Sequence, residues 1–207
     1  MSTSSRLTTT SYAILSLIAV RPWSTYELAQ QMDRSLGRIW PRAASKLYEE
    51  PRKLVDHGLA RARDESVGRR PRTVYTITAK GRRALAAWHR EPGAGPVLEF
   101  EQLLKLSFAE YGTKADALAS LAAARSWAAS RNQENLAAAR AYLAGDGPFQ
   151  ERAAQTMLTG RFLTEFYRMV AEWADWAAGL VEQWPNQPAE AKPDQRAMSE
   201  TVRRAEW

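Results

Sequence analysis

The chain has 207 residues, long enough for one or two domains with a real core, and its 45% apolar and 25% charged residues are an ordinary balance for a soluble globular protein. It contains no cysteine and only two histidines, His57 and His89, which excludes disulfides and thiolate metal sites and argues against a histidine-rich one; no metal and no cofactor are expected. The net charge of +6 is uneven: residues 1–90 hold 17 Lys/Arg against 7 Asp/Glu, whereas residues 91–207 hold 12 against 16, so the first part is suited to meet a polyanion.

In chain order, residues 1–8 are polar, and Thr10 to Val20 reads as a short helix with Ile14, Leu17 and Ile18 on one face, stopped by Arg21-Pro22. Ser24-Thr25-Tyr26-Glu27 is a capping box that opens a second helix to about Leu36, with Leu28 and Met32 inward and Gly37 as its terminator. Past a linker at Trp40-Pro41, a third helix runs from about Ala43 to His57, with Leu47, Tyr48, Leu54 and Val55 as its apolar set and Gly58 as its cap. Pro51 falls inside it and is expected to bend it. Residues 59–64 (LARARD) and 73–78 (TVYTIT) read as a two-stranded hairpin with a tip over residues 66–72. Thr78 caps a fourth helix, Ala79 to His89, with Leu85 and Trp88 inward.

Residues 91–97 (EPGAGPV) form a Pro/Gly linker. Behind it, helices are expected over residues 98–111, 113–143 and 149–184, with a polar tail from Pro185 that is expected to be flexible. The last long helix has the clearest pattern: Leu163, Phe166, Val170, Trp173, Ala177, Leu180 and Trp184 step by 3 and 4, an a/d seam, with Phe162, Met169 and Trp176 beside it at intervals of seven. No apolar run approaches the roughly 20 residues of a bilayer span. Residues 1–10 lack the layout of a signal peptide, so no membrane contact and a cytoplasmic, nucleoid-associated location are expected.

Helix, helix, helix, hairpin, helix is the order of a winged helix-turn-helix. The fold class expected is therefore mainly α: a winged helix-turn-helix over 9–90 with a two-stranded wing, the linker 91–97, an all-helical domain of antiparallel long helices over 98–184, and the tail 185–207. The third helix presents Arg42, Ser45, Lys46, Glu49, Arg52 and Lys53, residue types that read guanine edges or hold phosphates from the major groove of double-stranded DNA. Arg69, Arg70 and Arg72 cluster at the hairpin tip, with Arg61 and Arg63 on the strand leading in, which suits a phosphate track or a narrow minor groove.

The segments Tyr26-Glu27-Leu28, Leu47-Tyr48, Leu54, His57-Gly58-Leu59, Gly68-Arg69-Arg70-Pro71, Val74-Tyr75, Ile77-Thr78 and Gly81 together resemble the PadR family of bacterial transcriptional regulators. Trp40-Pro41-Arg42, Tyr48 and Trp88 followed by a Pro-containing linker look most like its subgroup with a long C-terminal helical domain, which includes virulence-gene activators. The resemblance implies a homodimer embraced by its C-terminal helices, two wings flanking a roughly palindromic operator, and Tyr26 and Tyr48 near the DNA backbone. Pro51 departs from it, since many members carry an apolar residue there.

The dimer contact is expected through Leu163, Phe166, Val170, Trp173, Ala177 and Leu180 of the seam. Some PadR-like regulators bind flat drugs or phenolic acids, and Trp127 and Trp176 are the candidate lining of a pocket for a small aromatic effector; tryptophans of the seam have packing as the simpler account. The chain has no Gly-rich phosphate loop, HExxH or nucleophile elbow, so catalysis is not expected. The rival reading is a winged-helix module that binds protein; three arginines at a wing tip favour DNA. The function expected is a sequence-specific DNA-binding regulator that occupies a promoter, with repression the expected outcome.

Overall fold

The computed structural model describes residues 6–41, 44–67 and 70–206, with backbone alone at 44–46, 66–67 and 70–71. The chain forms two compact units, residues 1–96 and 97–207.

In the first unit, α1 (Thr9–Val20) begins at a Thr8/Ser11 capping box and buries Ile14, Leu15, Leu17 and Ile18. Trp23 and Ser24 form a short strand, β1, before α2 (Thr25–Gln31). The Ser24 hydroxyl accepts from the Glu27 N–H at 3.3 Å while the Glu27 carboxylate accepts from the Ser24 N–H at 2.8 Å, closing the expected box. The helix then widens into a π-turn over Met32–Leu36. Gly37 ends it as expected, in right-handed helical conformation with φ −57°. A Cβ there would stand 2.7 Å from the Asp33 carbonyl oxygen, and the wide turn needs the space.

α3 (Ala44–Asp56) continues through the position of Pro51, a helix unbroken by it. The ring is fully buried, so its packing against the core compensates the missing backbone bond. Gly58, at φ +69°, turns the chain sharply out of α3.

The hairpin differs from expectation in length. β2 (Ala60–Val67) and β3 (Arg70–Ile77) pair antiparallel from Ala60↔Ile77 out to Val67↔Arg70. Residues expected in a loop, Ser66, Val67, Arg70, Pro71 and Arg72, are thus strand, and the wing is a long ribbon. β1 adds to the other side of β3 (Trp23↔Tyr75, Ser24↔Val74), giving three strands in the order β1-β3-β2 where two were expected. Trp23 pins this third strand: it is buried, its indole N–H donates to the Leu17 carbonyl at 2.7 Å, and the Arg21 guanidinium lies 3.4 Å over its ring. Thr78 caps α4 (Ala79–Trp88) by accepting from the Gly81 N–H at 3.0 Å. Trp88 stacks on Tyr12 of α1 with ring centroids 5.1 Å apart. The core is Ile14, Leu15, Ile18, Leu28, Met32 and Leu54, each burial contributing about 1.5–3 kcal/mol.

The second unit is a helical hairpin. α5 (Glu101–Ser107) and a 3-10 turn (Ala109–Tyr111) precede α6 (Lys114–Ala144), which opens on a Thr113/Asp116 capping box and ends at Gly145, φ +86°. α7 (Ala153–Val181) returns against it. Asn135, buried between the two, donates to the Gly160 carbonyl at 3.0 Å and to the Thr164 hydroxyl at 2.8 Å.

The a/d seam of α7 requires a correction. Leu163, Val170 and Ala177 are buried within one chain, Leu163 and Val170 against Ala128 and Ala177 against Ala117 and Leu121 of α6. Phe166, Trp173 and Leu180 flank this intrachain core, and Trp173 meets Phe100 edge to face at 5.8 Å. The seam's partner is α6, whose alanines give too weak a stripe to advertise the pairing in sequence. What α7 leaves exposed is the neighbouring stripe: Phe162 (60%), Met169 (50%) and Trp176 (42%).

The tail is structured too. A 3-10 turn at Pro188–Glu190 packs on Ala109–Tyr111, the Lys114 ammonium donates to the Glu182 and Trp184 carbonyls, and Asp194 caps an eighth helix, α8 (Gln195–Ala205). Sequence reading took this stretch as flexible because of its prolines; Pro188 instead is a buried anchor. Among the described residues, no helix is long and apolar enough to cross a membrane.

Candidate nucleic-acid interface

α3 divides into two faces. Leu47, Pro51 and Leu54 face the core. Glu50 lies beside them: its carboxylate accepts from the Ser11 hydroxyl of α1 at 2.5 Å and sits 3.6 Å from the Lys53 ammonium. Ser11 and Glu50 therefore fix the rotation of α3 about its own axis. Lys53 belongs to this anchor, with a side chain only 16% exposed, and is drawn back from the polar face on which the sequence places it.

Outward, the helix presents Tyr48 (44% exposed), Glu49, Arg52 and Asp56. At 100° per residue the centre of this face runs along positions 45, 49 and 52. Tyr48, Glu49 and Arg52 border a cleft of about 510 Å³ whose other wall is Thr25 of α2 with Thr73 and Tyr75 of β3. Tyr26, 64% exposed on α2, accepts a 2.7 Å hydrogen bond from the Gln30 amide one turn on. Gln30 was missed from sequence, although its spacing of four from Tyr26 was legible.

On the wing, Arg72 pairs with Glu65 directly across the ribbon at 3.1 Å, and Arg61 and Arg63 are exposed on β2. Arg42 and Arg69, and the side chains of Ser45, Lys46 and Arg70, lie outside the described residues. The Ser24 hydroxyl and backbone hold the Glu27 carboxyl below its ordinary range, so this carboxylate stays charged at the start of α2.

The two candidate effector residues are separate in character. Trp127 (39% exposed) joins an aromatic group, edge-on to Phe166 at 6.2 Å and Tyr167 at 5.6 Å. Trp176 belongs to the exposed α7 stripe. A second cleft of about 380 Å³, between α5 and α6, is lined by Leu104, Phe108, Tyr111 and Asp116 and by neither tryptophan.

A three-helix core with a β-ribbon wing, followed by a unit of long antiparallel helices, defines a winged-helix protein. Residues 14–87 match the transcriptional regulator PadR-like family and residues 101–182 match the virulence activator alpha C-terminal domain. The chain thus carries a PadR-like domain followed by a virulence-activator-type C-terminal domain.

It is 35% identical over 82 residues to a probable transcriptional regulator of Mycobacterium tuberculosis, covering 39% of this chain and 43% of that one. It is 32% identical over 78 residues to the negative transcriptional regulator PadR of Bacillus subtilis, 37% of this chain and 43% of that one. The matched stretch thus spans less than half the length of these curated relatives. In structure, Bacillus subtilis PadR in complex with operator DNA superimposes with a TM-score of 0.73 at 20% identity, over 84% of this chain and 99% of that one. The same protein in complex with p-coumaric acid gives 0.64 at 20% identity, over 84% and 94%. The Vibrio cholerae virulence activator AphA gives 0.61 at 24% identity, over 82% and 95%.

Proposed function

We propose that the protein is a sequence-specific DNA-binding transcriptional regulator, acting as a homodimer on a roughly palindromic operator and repressing by occupying a promoter. The observation that carries this reading is the outer face of α3: exposed Tyr48, Glu49 and Arg52 on a helix rotationally fixed by Ser11 and Glu50, beside a basic ribbon. A helix so presented fits a major groove, and a dimer sets two of them about one helical turn, roughly 34 Å, apart. Arg42, Ser45, Lys46 and Arg52 serve as groove contacts, Tyr26 and Tyr48 as backbone contacts, and Arg69, Arg70 and Arg72 as the wing's phosphate or minor-groove contacts. The division of labour follows the two units, with residues 9–90 meeting DNA and residues 98–184 pairing the subunits.

For the dimer, the exposed α7 stripe Phe162, Met169 and Trp176 is the proposed surface, since Leu163, Val170 and Ala177 are committed to α6. The Trp127-Phe166-Tyr167 group supports a second function, response to a flat aromatic effector, of the kind named for the Bacillus subtilis relative.

The test is recovery of sheared genomic DNA by the purified protein at near-physiological salt, followed by sequencing. Enrichment of one or a few palindromic sites, with affinity falling steeply as salt rises, is the expected result. Uniform recovery, with and without aromatic acids, refutes the reading.

A further inference from the structure

A carboxylate sits at the centre of the face proposed to meet DNA. Glu49 and Arg52 straddle the outermost line of α3, and both are exposed. The acidic neighbour Glu50 is accounted for by Ser11 and Lys53. Glu49 has no such role: among the described residues it makes no ion pair or hydrogen bond, and it packs no core. A free carboxylate there repels phosphate and weakens binding to DNA at large.

The repulsion is offset where a base edge offers a hydrogen-bond donor. In the major groove two bases do: cytosine through its N4 amine, and adenine through its N6 amine. Adenine sets the N7 acceptor beside that amine, and a carboxylate, which can only accept, meets it lone pair to lone pair. Cytosine has no such acceptor beside N4. Arg52 stands three residues on, about 4.5 Å along the helix axis, close to the ~3.4 Å step between base pairs, and its guanidinium suits the O6 and N7 of guanine.

We propose that Glu49 is a specificity-determining residue, its carboxylate accepting a hydrogen bond from the N4 amine of a cytosine in each operator half-site, one base pair from the guanine met by Arg52. This rests on the DNA-binding reading above and names what that face selects. Glu49 thereby does two things: it rewards one base, and it penalises every site that lacks it.

The experiment is selection from a randomised duplex library by the full-length protein, Glu49→Gln and Glu49→Ala, with circular dichroism as the check that all three fold alike. Wild type is expected to enrich cytosine at one position of each half-site, and changing that cytosine to thymine is expected to cost about tenfold in affinity. Glu49→Ala loses that preference, tolerates the change, and binds random duplex several-fold more tightly. Glu49→Gln, which can donate as well as accept, shifts the preference toward adenine. An unchanged base profile in Glu49→Ala overturns the assignment while leaving DNA recognition standing. A wild-type protein that enriches no sequence overturns both.

Discussion

Among the described glycines of the first unit, Gly81 has the least room for a Cβ, and Gly81→Ala tests whether the wing and α4 are packed as described. A Cβ at this position would stand 2.1 Å from the Leu59 carbonyl oxygen and 2.9 Å from Ile77 Cγ1. Carbon contacts settle at ~3.5 Å or more, so the overlap with the oxygen exceeds an ångström and backbone has to move. That carbonyl also accepts from the Thr78 N–H at 3.0 Å and the Thr78 hydroxyl at 3.1 Å, so moving it strains the start of α4. Overpacking costs about 1–3 kcal/mol and weakened hydrogen bonds about 1 kcal/mol more. Alanine's better helix propensity returns about 1 kcal/mol. The net expectation is a loss of about 2 kcal/mol, seen as a lower urea midpoint by circular dichroism. Gly160, inside α7 with nothing within 4 Å of a would-be Cβ, is the control: Gly160→Ala gains up to about 1 kcal/mol. A Gly81→Ala midpoint at or above wild type would refute the close approach.

Other perturbations separate the remaining roles. Arg52→Ala and Lys46→Ala are expected to weaken binding to the recovered operator more than to random duplex, whereas neutralising Arg69 and Arg70 together weakens both alike and flattens the salt slope; fluorescence anisotropy at several salt concentrations reads the difference. Leu163→Asp puts a charge into the intrachain core of the helical hairpin and should lower its helicity, while Trp176→Asp should leave helicity intact and halve the mass in light scattering; native mass for Trp176→Asp removes the exposed stripe from the dimer contact. Glu27 is held below the ordinary carboxylate value of 4.5 by the Ser24 cap, so its contribution is complete above that value and is lost as pH falls through it and below. Glu27→Gln should remove this part of the acid-induced loss of stability, and an acid limb identical to wild type would show that the cap is not coupled to folding.

The parts of the fold legible in sequence were those set by local chemistry. Ser24 with Glu27, Thr78 before α4 and Gly58 at φ +69° each satisfy orphan backbone groups within a few residues, and each lies where its residue type requires. What was illegible depended on distant partners. β1 is two residues long, too short for any alternation, and exists because Trp23 is buried and Ser24 pairs with Val74. The wing looked shorter than it is because Arg, Gly and Pro read as loop, while cross-strand pairing carries β3 through Pro71. The seam of α7 was visible as a seam, but nothing in its period says whether a second helix of the same chain or of another copy fills it. At the candidate interface the outer residues of α3 were legible from periodicity, and the exchange of Lys53 for an anchoring role was not, because it turns on Glu50 reaching Ser11 thirty-nine residues away.

Asn135 gives the helical hairpin a property that its apolar contacts do not. Ala117, Leu121, Ala124 and Ala128 already favour one alignment of α6 on α7 through packing alone, and Asn135 adds a polar condition to it. Slid by one turn, the Asn135 amide would leave the Gly160 carbonyl and the Thr164 hydroxyl and stay buried with nothing to donate to. One alignment therefore stands below the others in energy, and the arm has a definite length. The hairpin works as a calibrated strut: residues along α6 and α7 can drift from one small apolar side chain to another while the tip at Gly145 holds its place.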